Sequence, residues 1–161
     1  AVRRLIAEGA LMLSPSGRVA TAELNHDRIE ELAVMRSLIE VELASRALPR
    51  AHLALIDRLK TINASVSQAI VAHDPVSYIR TNLEFHRMLY LRAQAPAMLA
   101  IAETVWLQLG PTMRSLYDKS NRKEPPYNHT AILAALTAGD EPGLRLAVRS
   151  DVTHGLRHLL K

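Results

Sequence analysis

The chain has 161 residues, a hydrophobic fraction of 48%, aromatic residues at only 4% and a formal charge of +4. That length makes one main domain the default, and an aliphatic, aromatic-poor core suits helices better than sheets. The sequence has no cysteine, so disulfides and thiolate metal sites are excluded; no apolar run approaches the roughly 18 residues needed to cross a bilayer, and so mild a charge permits an anionic partner without demanding nucleic acid.

Taken in order, residues 1–8 read as the end of a helix closed by Gly9. Ala10–Leu13 and Arg18–Thr21 flank a Ser14-Pro15-Ser16-Gly17 turn and predict a small β-hairpin, which is marginal in water by itself. Glu23 to His26 is a linker, and Asn25 or Asp27 can cap a first long helix over about 27–47. Ile29, Leu32, Ile39 and Leu43 form its apolar stripe, with Arg36 inside the stripe and Glu40 one turn on. A second helix covers about 50–73. Asp74 followed by Pro75 is a start signal for a third, on which Val76, Ile79, Leu83, His86 and Tyr90 share one side. Pro96 opens a helix through Trp106 to about Tyr117, which Pro111 should kink or split after Gly110. Asp118–Tyr127 is polar, carries two prolines and reads as a loop. A helix over about 128–138 stops at Gly139, and Asp140 caps a last one over about 141–160. The expected fold is therefore all-α, an antiparallel bundle of about six helices preceded by a short hairpin.

Polar residues intrude on four apolar faces. His86 lies mid-stripe, with Asn82 one turn before it on the flank. His129 shares a face with Ile132, Leu133 and Leu136. Asp151 follows Leu144, Ala147 and Val148 on the last helix, with His154 one turn on. Arg36 holds the equivalent place on the first long helix. A polar group at a core position needs a partner. Two readings stand. In one, His86, His129 and Asp151 ligate a first-row divalent ion such as zinc, nickel or manganese, with Arg36 presenting a bidentate fork to an anion beside it. In the other, the histidines are bonded within the core and Asp151 pairs with a nearby His or with Arg36. Tyr90, Thr104, Tyr117 and Asn121 are candidate pocket residues. Gly-rich phosphate loops and nucleophile elbows are absent from the sequence, and Glu84 is expected to point away from the His86 face.

The order of these elements resembles a known family. Residues 1–11 and Gly17-Arg18-Val19-Ala20 resemble the end of a recognition helix and the wing of a winged helix-turn-helix. Glu31 to Glu40, Asn82 to Arg87 with its Phe85-His86-Arg87 triplet, and His129 to Leu136 with Ala138-Gly139-Asp140 resemble the effector domain of the FadR-type branch of GntR transcription regulators. The resemblance implies a division into residues 1–24, a winged-domain remnant with Arg3, Arg4, Gly17 and Arg18 near DNA, and residues 25–161, a helical effector-binding and dimerisation domain. It implies a cytoplasmic, homodimeric, metabolite-responsive regulator of operator DNA, neither enzyme nor membrane protein. Such domains commonly hold a divalent metal through an Asp and three His, with a small organic acid against the metal and an Arg. Position by position, the first two histidines are His86 and His129 and the Arg is Arg36. Asn82 stands where the family has its Asp, and Asp151 stands where it has the third His, with His154 as an alternative ligand. Tyr90 and Tyr117 are expected beside the effector. The competing classes are a metal-dependent hydrolase in a helical bundle and a metal-free helical interaction module.

Overall fold

Helix α1 (Val2–Ala7) closes at Glu8 and Gly9, where the Ala10 amide donates back to the Leu5 carbonyl at 2.9 Å. Strands β1 (Leu11–Leu13) and β2 (Val19–Thr21) then pair antiparallel, with Met12 opposite Ala20. The computed structural model describes residues 1–22, 24–120 and 127–157. Six further helices follow: α2 (His26–Ala47), α3 (Leu53–Val71), α4 (Pro75–Tyr90), α5 (Pro96–Ser120), α6 (Tyr127–Ala138) and α7 (Glu141–Arg157). They form an antiparallel bundle in which α2 packs on α7, α5 and α4, α3 on α4 and α6, and α6 on α7. The opposed run of α2 and α7 is marked by Ser45 bonding to Glu141 while Glu42, three residues earlier, faces Arg145. No helix among the described residues is long and apolar enough to cross a membrane.

The helix starts follow from side chains that satisfy the first amides. The Arg28 amide donates to Asn25 Oδ1 at 2.8 Å, so Asn25 rather than Asp27 caps α2. Asp74 Oδ1 accepts from the Val76 and Ser77 amides, both at 3.1 Å, with Pro75 in the first turn. Asp140 Oδ1 accepts from the Gly143 amide at 3.0 Å, and a Cβ at Gly143 would collide with the capping carboxylate. Gly139 turns the chain between α6 and α7 at φ +66, a conformation that costs a side chain.

The main core joins Leu43 and Val41 of α2, Leu55 and Leu59 of α3, Phe85 and Leu89 of α4, Ile132 of α6 and Leu144 and Val148 of α7. A second cluster packs Ile29 and Leu32 against Val105 and Leu109 of α5.

Several expectations are corrected. The buried face of α4 is Tyr78, Thr81, Asn82, Phe85, His86, Leu89 and Tyr90, while Val76 is 63% exposed and Ile79 and Leu83 only half-buried. His86 thus stays central on a stripe rotated from the expected one, because Tyr78 and Phe85 carry more apolar surface to the core. The second helix begins at Leu53, after a 3₁₀ turn over Leu48–Arg50 that includes Pro49. Helix α5 runs through Pro111 unbroken, and it continues to Ser120, three residues into the expected loop. Pro111 removes one donor, but the turn before it is fixed by the packing of Val105 and Leu109 on α2. The remainder of that loop, residues 121–126, and the end of the last expected helix, 158–161, lie outside the described residues.

Burial predicts a contrast between neighbouring helices. Leu59, fully buried, should lose about 3 kcal/mol on substitution to Ala, a fall in melting temperature of roughly 6–12 °C. Val76→Ala should change stability by less than about 0.5 kcal/mol. Equal losses in thermal unfolding would contradict this placement of the α4 face.

Candidate metal centre

The C-terminal half of α4, the first turn of α6 and the middle of α7 bring three of the expected residues together. His86 and His129 are fully buried, and Asp151 keeps 18% of its side chain exposed. His86 Nε2 lies 2.9 Å from Asp151 Oδ2, and His129 Nε2 lies 3.9 Å from the same oxygen. The three donor atoms all fall within 4.8 Å of one another. Phe85 fixes the ring planes: it stacks on His129 with centroids 4.0 Å apart and planes 7° from parallel, and meets His86 edge-on at 5.5 Å.

The far sides of both rings are engaged. His86 Nδ1 lies 3.2 Å from the Tyr90 hydroxyl, and His129 Nδ1 lies 3.0 Å from Asn63 Oδ1 on α3. The Tyr90 hydroxyl donates to Glu40 Oε2 at 3.0 Å. Burial and the Glu40 carboxylate push that hydroxyl's pKa well up, so it remains a donor. Glu40, fully buried, also accepts from Trp106 Nε1 at 2.8 Å and from Arg36 Nε at 2.5 Å. Burial pushes the Glu40 carboxyl up; the charges of Arg36 and His86 and the hydrogen bonds from Arg36 and Trp106 outweigh it and hold it below its ordinary value. Asp151 follows the same logic: burial raises it, while the His86 contact and the charges of His129, His86 and Arg36 hold it well below the carboxylate range.

This donor set suits a divalent ion. Two imidazoles and an ionised carboxylate are zinc-type ligands. In addition, His86 Nε2, fully buried, faces Asp151 Oδ2 at 2.9 Å. The two atoms are close enough for one ion to reach both.

Other expected residues are placed differently. Asn82 is buried on α4, one turn before His86. His154 is exposed and stands outside the cluster. Arg36 is not an open fork: its Nε and Nη2 are given to Glu40. Tyr90 joins His86 to Glu40. The side chain of Tyr117 and all of Asn121 lie outside the described residues, and the Thr104 hydroxyl bonds back to the Ala100 carbonyl. Arg3, Arg4, Gly17 and Arg18 are exposed, with Arg4 paired to Glu8 at 2.8 Å and Gly17 in the hairpin turn at φ +75. Sequence reasoning missed Asn63, which sits unremarked on its helix, and gave Trp106 no polar partner. Glu84 faces solvent and pairs with Arg58 at 3.6 Å, as its position in α4 requires.

Glu40 sets a stability test. Glu40→Ala leaves Arg36 as a buried unpaired charge and should cost about 3–5 kcal/mol in urea unfolding at pH 7. The folded-state pKa is depressed, so the contribution of Glu40 is present above the ordinary glutamate value of 4.5 and is lost as pH falls through the lower folded value. Glu40→Gln should therefore show a flatter acid limb than the wild type, and identical acid limbs would remove Glu40 from the balance.

Comparison with known proteins places this arrangement in a family. The FCD domain family matches residues 31–154. The HTH-type transcriptional regulator McbR of Escherichia coli (strain K12) is 29% identical over 150 residues, covering 90% of this chain and 67% of that protein. The solved structure of E. coli McbR/YncC superposes with a TM-score of 0.89 at 22% identity, over 97% of this chain and 79% of that one. A GntR protein of Streptococcus agalactiae shares the fold with a TM-score of 0.65 at 17% identity, over 97% and 78% of the two chains. With a family match spanning most of the bundle, the chain belongs to the FCD-domain family of GntR-type transcription regulators.

Proposed function

We propose that the bundle is the sensing part of a transcription regulator, in which His86, His129 and Asp151 hold a divalent metal and a small carboxylate effector binds beside it. The observation that carries this is the convergence of two buried imidazoles on one ionised carboxylate oxygen. Charge supports the effector class. Arg36 and Glu40 cancel, Asp151 offsets part of a divalent ion's charge, and the remainder favours an anion. Arg36 acts through its end remote from Glu40, and Asn82 lends a neutral amide to the metal or the effector. The metal supplies a fixed Lewis-acidic anchor for the effector carboxylate; every other function belongs to side chains of the bundle.

Helix α1 and the hairpin act as part of a winged DNA-binding domain, with Arg3, Arg4 and the turn at Gly17-Arg18 toward phosphates. Their link to the sensor has a physical route. Helix α5 carries Trp106, bonded to Glu40, and Gln108, whose Nε2 donates to the Glu8 carbonyl at 2.9 Å. Arg28 of α2 donates to the same Gln108 at 2.9 Å. An effector that favours one arrangement of the bundle thereby shifts α1 and its attached DNA reader in the assembled homodimer. The hydrolase alternative finds no support in Glu84, the nearest unassigned carboxylate in the sequence, which is turned to solvent.

Metal analysis tests the reading. After supply of zinc, nickel or manganese at neutral pH, the purified protein should retain about one equivalent, and its melting temperature should rise with metal and rise further with a small carboxylate. His86→Ala should abolish retention and the carboxylate response together. Wild-type protein that keeps well under one equivalent sinks the metal reading.

A further inference from the structure

We propose that Asn63 and Tyr90 are positioning residues of this centre: each takes the Nδ1 proton of one histidine, so that both rings turn an unprotonated Nε2 toward Asp151. The argument rests on the metal reading above for its purpose, but the proton placement stands on hydrogen-bond directions alone.

For His86 the directions are set from Glu40 outward. Trp106 Nε1 and the Arg36 guanidinium can only donate, so the Glu40 carboxylate that receives them at 2.8 Å and 2.5 Å is an acceptor. The Tyr90 hydroxyl therefore spends its single hydrogen on Glu40 Oε2 at 3.0 Å. What it offers His86 Nδ1 at 3.2 Å is a lone pair, and Nδ1 must carry the hydrogen. The neutral ring then has its lone pair on Nε2, aimed at Asp151. For His129 the step is shorter. Asn63 Oδ1 at 3.0 Å is a carbonyl acceptor, so Nδ1 again holds the hydrogen and Nε2 is left for the centre.

The arrangement spans the bundle. Glu40 and Arg36 come from α2, Tyr90 and His86 from α4, Trp106 from α5, Asn63 from α3, His129 from α6 and Asp151 from α7. Ligating histidines bonded in this way gain a fixed ring orientation and a more basic donor atom, and loss of such a partner typically lowers metal affinity 10–100-fold. Tyr90, 1% exposed with both hydroxyl functions committed, is thereby removed from the residues that meet the effector.

The test uses the whole chain and two independent readouts. Long-range ¹⁵N–¹H spectra of the metal-free protein, recorded at a pH at which both rings are neutral, should show His86 and His129 as Nδ1–H tautomers. Tyr90→Phe should release His86 alone and Asn63→Leu should release His129 alone. Zinc affinity, by competition with a chromophoric chelator, should fall about 10–100-fold in each. Asn63→Asp, which keeps an acceptor and strengthens it, should bind zinc at least as tightly as the wild type, an outcome that a purely structural role for Asn63 does not produce. Nδ1–H tautomers in a wild type that takes up no zinc would support the positioning and refute the metal. Nε2–H tautomers in the wild type, or variants that match it in both readouts, would overturn the proposal.

Discussion

The bundle is arranged around a carboxylate that cannot be hydrated. Glu40 has no exposed surface, and an isolated ionised carboxyl in that position would cost many kcal/mol. It is tolerated because α2, α4 and α5 each send a donor to it: Arg36 from its own helix, the Tyr90 hydroxyl and the Trp106 indole. Replacing such a buried ion pair by apolar groups often leaves stability unchanged or raised, so net stabilisation is a weak reason for it. Its stronger consequence is geometric. Three helices must keep one register for all these bonds to form, and the same register sets His86 against Asp151.

That dependence explains what the sequence disclosed. Helical period was enough to find His86, His129, Asp151 and Arg36, since each sits among apolar neighbours on its own helix. It was also enough to find the caps at Asp74 and Asp140, which act on amides two or three residues away. It did not find the partners that join different helices. Trp106 bonds to Glu40 and His129 to Asn63, each across 66 positions; no periodicity relates such pairs. The error on α4 has the same origin. Val76 and Tyr78 compete for the core face, and the outcome depends on α3, against which Tyr78 packs beside Val66 and Ile70.

Arg36 illustrates how a right position can carry an incomplete role. Its place on the stripe was correctly read, and so was Glu40 one turn on, yet the pairing of the two alters what Arg36 can offer. A guanidinium already neutralised by a neighbour does not attract an anion as a free charge would. In the proposed reading, its value to an effector would lie in directed N–H bonds of fixed orientation, which discriminate shape more than charge. The family likeness of the bundle therefore does not by itself define the effector, because the same fold accommodates different polar furnishings.

Helix α5 joins the buried network to the end of α1. A loop linking two regions transmits little if it can absorb motion by changing its own dihedral angles. A helix that is held at two points cannot do so. Trp106 and Gln108 lie two residues apart, so they leave α5 on different sides; one grips the Glu40 network and the other the end of α1. Displacement of Glu40 that moves α5 through the indole would bear on the bond between Gln108 and the Glu8 carbonyl.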